Sequence, residues 1–455
     1  MNNFEKPIDI YTNLWYTIPQ EGCIMYRKIM EYLKNWKQSP HRKPLILQGA
    51  RQVGKTYAIL EFGRKYYENV AYFNFETNPK LNETFAENIS PDYLIPILSH
   101  IAGQTIVREK TLIVFDEVQL CERALTSLKY FCENAPDYHI IVAGSLLGVA
   151  VNRQQFSFPV GKVDIKTLYP MDLEEFLLAL GEDDLVQQIR TCFASQSPMP
   201  AALHDAAMQR YRQYLVVGGM PECVQQFAET QDYILVRHTQ DTILQSYLND
   251  MSKYNNLNEI KKTRLTYDNI TVQLSKKNTR FQYKLIKKGG RAAEFENAVE
   301  WLCLSGIVSQ VYRAEQIRKP LENYRDIDAF KIYVSDMGLL CAKKDLAASD
   351  ILYMTEELND FKGGMVENYV QVQLTANGYR TYYWESDRGA EIDFVIQREG
   401  QLIPIEVKSA DNTKAKSLQV YMKAYQPAYA VKLSAKNFGT AENKLIIPLY
   451  AAFCL

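Results

Sequence analysis

Short apolar runs alternate with helical stretches through the first third of the chain. The runs are LILQ (45–48), VAYFNF (70–75), TLIVFDEV (111–118), HIIVAGS (139–145) and VDIKTL (163–168). β-branched runs of this length, separated by helical patterns, predict a parallel sheet covered on both faces. Ahead of them Ile29, Tyr32, Leu33 and Trp36 recur at helical spacing in a segment that opens at Met25. Residues 1–24 hold no stripe, no capping signal and no motif, so they are expected to pack little, with Met25 a candidate start of translation. Pro170 begins an acidic helical stretch, PMDLEEFLLAL, and residues 203–248 read as further helices broken at Gly218-Gly219.

The second half has a different rhythm. AAEFENAVEWLCLSG (292–306) sets Phe295, Val299 and Leu302 on one helical face and stops at Gly306. Two strand-like segments follow, IVSQVYRAE and FKIYVSD. Helices, a further helix and then two strands is the order of a winged helix-turn-helix. Residues 361–455 read as helix (GGMVENYVQVQLTANG), strand (TYYWES), hairpin (AEIDFVIQ and LIPIEVKS), helix and strand, with YAVKLS and LIIPLY in the tail. The pattern predicts an N-terminal extension (1–24), a parallel-sheet α/β core (25–170), a helical lid (171–250), a winged-helix-like region (251–345) and a C-terminal α/β domain (346–455). A chain of 455 residues is long enough for two to four domains.

Composition narrows the function classes. With 47% hydrophobic and 23% charged residues, disorder is not the main character. The formal net charge is −1, which excludes a uniformly basic coat for nucleic acid. Locally the picture differs: residues 253–291 hold eleven Lys or Arg against two Asp or Glu, a charge of +9. Lys276, Lys277, Arg280, Lys284, Lys287, Lys288 and Arg291 would neutralise phosphates of a DNA backbone, or form a solvated helix face. The eight cysteines form no CxxC pair and the histidines do not cluster with them, so reduced thiols in a cytoplasmic protein are expected rather than zinc or disulfides. No apolar run approaches the ~18–20 residues that span a bilayer, and no basic-then-apolar leader stands at the start, so no membrane partner is expected.

Gly49-Ala50-Arg51-Gln52-Val53-Gly54-Lys55-Thr56 fits G-x-x-x-x-G-K-[ST], between an apolar strand and a helix. Glycines let backbone N–H groups turn inward around phosphates, and the helix N-terminus adds positive potential. Lys55 would reach the β/γ-phosphates and Thr56 would ligate Mg²⁺. Two strands on, LIVFDE sets Asp116 at a strand's carboxyl end, where it would hold Mg²⁺ through water, while Glu117 would orient the attacking water. Ser145, in AGSLLG after the next strand, stands where a polar sensor of the γ-phosphate belongs.

GARQVGKT, FDEVQ, AGSLLG and YLVVGGMPE resemble the prokaryotic AAA-type ATPases whose C-terminal half is a domain of unknown function related to PD-(D/E)XK nucleases. The resemblance covers about residues 25–453. It implies a P-loop ATPase core using ATP and Mg²⁺ through Lys55, Thr56, Asp116, Glu117 and Ser145. Relatives carry Gly-Arg where this chain has Gly161-Lys162; Lys162, or the nearby Arg153, is the candidate for an arginine-finger role. A homo-oligomer is left open.

A second constellation lies in the C-terminal hairpin. The turn centres on Glu399-Gly400, so facing residues have numbers summing to 799, and Asp393 faces Glu406. Two like charges directly opposite are destabilising unless neutralised. A divalent cation would do so, and Lys408 shares the face of Glu406. Such a site would activate water beside a phosphodiester; a mixed-charge strand face is the plain alternative. The resemblance matches Glu367, Asp393, Glu406 and Lys408 to the nuclease-type motif and implies a restriction-endonuclease-like fold, with Glu367 as a third carboxylate. Two functions therefore stand: an ATPase coupled to a DNA-binding, DNA-cleaving half, or an ATP-driven switch whose last domain only binds DNA or protein.

Overall fold

The structure is a computed structural model and describes residues 25–144, 158–253, 256–276, 280–409 and 416–455. Each early apolar run supplies one strand: β1 (Leu45–Gln48), β2 (Asn69–Asn74), β3 (Thr111–Asp116), β4 (His139–Ala143) and β5 (Asp164–Thr167). They pair in parallel in the order β2-β3-β4-β1-β5. Five helices belong to this part: α1 (Ile29–Gln38), α2 (Lys55–Tyr66), α3 (Lys80–Glu87), α4 (Pro91–Ile101) and α5 (Glu122–Asn134). Alternation along the strands divides the core between two faces. Leu112, Val114 and Ile141 pack with Leu33, Trp36, Ile59 and Phe62 of α1 and α2. Ile113, Phe115 and Ile140 pack with Leu81, Phe85, Leu98 and Phe131 of α3, α4 and α5.

His139 opens β4 buried, its Nδ1 2.7 Å from the Tyr67 hydroxyl and its ring edge-on to Trp36. Burial, helped by Arg42 and Lys37, pushes its pKa down to about 3. An unfolded histidine takes its proton near pH ~6.5. The folded form therefore binds the proton less tightly, and stability present above pH ~6.5 is lost as pH falls toward 3. His139→Gln is expected to flatten that window. Denaturation midpoints measured across it check this; equal slopes for variant and wild type would remove His139 as the cause.

Helices dominate the middle: α6 (Leu173–Ala179), α7 (Asp183–Ser195), α8 (Ala201–Val217), α9 (Pro221–Thr230), α10 (Tyr233–Lys253), α11 (Leu257–Leu274), α12 (Tyr283–Ile286) and α13 (Ala292–Leu304). A second sheet has eight strands: β6 (Val308–Ala314), β7 (Arg325–Val334), β8 (Tyr382–Glu385), β9 (Glu391–Arg398), β10 (Gln401–Val407), β11 (Ala430–Ser434), β12 (Gly439–Ala441) and β13 (Lys444–Pro448). Their order is β12-β13-β11-β10-β9-β8-β6-β7. Helices α14 (Met337–Lys343), α15 (Ala348–Tyr353), α16 (Lys362–Ala376) and α17 (Lys416–Tyr425) complete it.

This sheet adds a pairing that the order of elements does not give. The β6–β7 hairpin, read as the wing of a separate domain, is not a free wing: β6 pairs in parallel with β8 at Tyr312–Tyr382 and Arg313–Tyr383. One sheet spans both sides of the boundary expected at 345–346. The physical reason is that an open strand edge is satisfied by whichever strand reaches it, and periodicity along one strand does not name its partner.

The hairpin register is as expected. Glu399 and Gly400 have φ of 48° and 74°, the two positive values of a two-residue turn that matches strand twist. Ile403 faces Ile396 and Ile405 faces Phe394. The paired residues end there, and beyond them Asp393 accepts from the Val407 N–H.

Candidate functional site

The phosphate cradle forms between β1 and α2. Gly49, Gln52 and Gly54 have φ of 148°, 65° and 88°, so the loop needs residues tolerant of positive φ. Lys55, the first residue of α2, donates from Nζ to the carbonyls of Gly49 (2.9 Å) and Ala50 (2.8 Å). Burial pushes its pKa down to about 8. Thr56 Oγ1 donates to Asp116 Oδ2 at 2.9 Å, joining loop and strand end. That pair of oxygens is the hard donor set that Mg²⁺ takes, so the residues fit the ion. Glu117 is left-handed at φ 50°, takes a hydrogen bond from the Gln119 amide, and is raised in pKa by burial.

Several residues that hold the cradle carry no motif. Tyr72, on the neighbouring strand β2, donates to Asp116 Oδ2 at 2.7 Å. Arg27, 4% exposed, donates to the Val53 carbonyl (2.9 Å) and the Tyr169 carbonyl (2.8 Å) and pairs with Glu175 (3.2 Å). Arg51 pairs with Asp250 of α10 at 2.7 Å, and Tyr247 of α10 donates to the Arg51 carbonyl at 3.2 Å. Ser246 donates to the Gln52 side chain at 3.3 Å. In the sequence these are only scattered polar residues; their partners lie up to 199 residues away.

Ser145 and Arg153 lie outside the described residues. Lys162 pairs with Glu133 at 2.8 Å. It precedes β5 at the amino ends of the parallel strands, whereas the cradle follows their carboxyl ends. Four residues of strand, about 13 Å, separate it from the cradle of its own chain, so any finger role requires a second copy.

The second constellation gains a residue, Lys331. Glu367, on α16, accepts from the Tyr333 hydroxyl at 3.1 Å and stands 3.4 Å from Lys331 Nζ. Lys331, on β7, is 1% exposed and also pairs with Glu391. Asp393 accepts from the Val407 N–H at 2.7 Å; burial, then the charge of Glu367, push its pKa up to about 7. Glu406 pairs through Oε1 with Lys408 at 2.7 Å, while Oε2 is buried without a partner. Among the described residues, no three Asp, Glu, His or Cys side chains gather in a group able to hold a metal ion. Glu367, Asp393 and Glu406 each hold a protein partner instead. Lys408 lies on Glu406, and one unexpected lysine, Lys331 from the strand assigned to another domain, lies beside Glu367.

The basic segment is at the surface. Lys276, Lys284, Lys287, Lys288 and Arg291 are exposed, with Lys287 paired to Glu294 at 2.9 Å. Arg280 bridges in antiparallel fashion to Lys331, and Lys277 lies outside the described residues. No described helix is long and apolar enough to cross a membrane.

Comparison with known proteins agrees with the cradle. Residues 41–177 match an AAA domain. Residues 208–350 and 362–452 match two domains of unknown function, DUF8612 and DUF4143. No curated protein sequence matches. Among solved structures, a Walker-type ATPase of Pyrococcus abyssi is similar at 12% identity and TM-score 0.44, over 70% of this chain and 96% of that one. The Aeropyrum pernix ORC1 protein, solved in complex with DNA, is similar at 13% identity and TM-score 0.27, over 70% and 91%. The Thermotoga maritima RuvB Holliday junction branch migration motor is similar at 12% identity and TM-score 0.29, over 65% and 91%. The AAA-domain match and a GxxxxGKT loop joined through Thr56 to a strand-end aspartate in a five-stranded parallel sheet identify the N-terminal part as a P-loop, AAA-type ATPase domain.

Proposed function

We propose that the protein hydrolyses ATP and uses the cycle to change how its C-terminal half holds DNA. The observation that carries the coupling is the hold of α10 on the cradle, through Asp250 to Arg51 and Tyr247 to the Arg51 carbonyl. The chain runs from α10 through α11 into the exposed lysines. Lys55 exchanges its loop carbonyls for β/γ-phosphate oxygens when nucleotide binds, and Glu117 orients water. Thr56 and Asp116 hold Mg²⁺, which when bound neutralises charge on the phosphates. Ser145 is the proposed γ-phosphate sensor. Assembly of several copies would let Lys162 or Arg153 reach a neighbour's nucleotide, and a cytoplasmic setting suits the free thiols.

The basic face gives the test. Lys287→Gln with Lys288→Gln should weaken DNA binding by the full chain regardless of sequence. Up to two phosphate contacts are lost, so the slope of log K against log salt should flatten by about 1–2. Fluorescence anisotropy at several salt concentrations, with and without ATP, measures it; an unchanged slope would mean a solvated face only.

Cleavage is the second reading. It draws support from the hairpin register and from the unpartnered Glu406 Oε2. It needs a divalent cation among carboxylates of which Glu367 and Glu406 already have lysine partners.

A further inference from the structure

Lys331 has no place in the nucleotide cycle, yet among the described residues it is the most deeply buried cation of the C-terminal half. Its side chain is 2% exposed and reaches Glu367 at 3.4 Å and Glu391 in direct contact. Its ammonium also lies 5.1 Å from the centre of the Tyr383 ring. A buried ammonium is tolerated only with close acidic partners, because the desolvation of an ion costs several kcal/mol unless the charge is met. Burial favours the neutral amine here, but Glu367, Glu391 and Asp393 outweigh it and hold Lys331 charged.

Each acid has one oxygen committed as well. Glu367 Oε2 takes the Tyr333 hydroxyl and faces Lys331. Asp393 Oδ2 takes the Val407 N–H, and Glu406 Oε1 takes Lys408. Mg²⁺ needs near-octahedral oxygen donors at about 2.0–2.1 Å. Placing it beside Glu367 and Asp393 would set a double positive charge against a buried ammonium.

We infer that the C-terminal acidic cluster is neutralised from within the chain: the Lys331 ammonium takes the place that a divalent cation would fill, and the cluster binds no metal. The cluster then acts as an electrostatic brace. It ties β7 to α16 and β9, fixing the β6–β7 hairpin against the rest of the sheet. This makes the last domain a binding module and is independent of whether ATP is hydrolysed.

Mn²⁺ titration of the nucleotide-free full chain, read by electron paramagnetic resonance, tests this. Wild type and Asp393→Asn should bind the same amount of Mn²⁺. Lys331→Met should gain one Mn²⁺, lost again when Asp393→Asn is added. If Lys331→Met is unfolded alone, restoration of its thermal transition by Mn²⁺ gives the same answer, and Lys331→Gln provides a second neutral variant. A Mn²⁺ bound by wild type and lost in Asp393→Asn would overturn the inference. So would folded Lys331→Met and Lys331→Gln variants that bind no additional Mn²⁺. DNA binding and ATP turnover do not enter the readout, so failure here is distinct from failure of the proposed function.

Discussion

Glu117→Gln is expected to bind ATP as wild type does and to lose turnover by about 10²–10⁴-fold, the range for removing a positioned base. Glu117 follows Asp116 at the carboxyl end of β3, with its backbone held left-handed at φ 50°. It is half-buried, and burial raises its pKa, which suits a group that must take or orient a proton beside a phosphate. Glutamine has the same length and keeps a carbonyl oxygen for the Gln119 amide, so the loop has no cause to move. What disappears is the negative oxygen that aligns water. Lys55→Ala separates the steps: it removes the cation at the phosphates, so binding itself should fail. Equilibrium binding of a fluorescent ATP analogue, beside phosphate release, measures both. Turnover in Glu117→Gln equal to wild type would take the water-orienting role away from Glu117.

The first domain was legible because its signals are local. A strand of four to six buried residues announces itself by composition, and the GxxxxGKT loop needs its residues consecutive. The β9–β10 register was legible for a similar reason: a two-residue turn with two positive φ values fixes every later pair by counting. Lys331 was not. In FKIYVSD it reads as an outward polar residue of an alternating strand, yet Phe330 through Val334 are all buried. What buries it is the parallel pairing of β6 with β8, between residues about 70 apart in the chain. Arg27 and Tyr72 fail to show for the same reason: each reads as an ordinary polar position until the sheet brings Val53 and Asp116 to it. The sheet that crosses 345–346 and the unrecognised lysine are thus one matter, since dividing the chain there set the cation and its acids in different segments.

The Gly218-Gly219 break was read as a helix end, and its packing carries the second large effect. Gly219→Ala is expected to destabilise the fold by about 3 kcal/mol or more, the upper part of the range for overpacking. A Cβ at 219 would stand 1.9 Å from the Met171 carbonyl oxygen and 2.8 Å from the Met171 nitrogen. These are backbone atoms, and Met171 N–H already donates to the Gly219 carbonyl at 2.7 Å, so no flexible side chain can yield. Asp336 closes the junction from the C-terminal half: its carboxylate accepts from Gly219 N–H at 2.6 Å and from Leu339 N–H at 2.8 Å. Burial pushes Asp336 up to about 6 even though four backbone N–H groups favour its charged form. Shifting residue 219 would strip one of those donors from a buried acid, which adds to the steric cost. Gly103→Ala is the control. Gly103 has φ 64° but nothing within 4 Å of its added Cβ, so only backbone strain of about 1–2 kcal/mol applies. Urea denaturation of both variants against wild type compares them. A Gly219→Ala midpoint no lower than that of Gly103→Ala would show that the junction between Met171, Gly219 and Asp336 can open without cost.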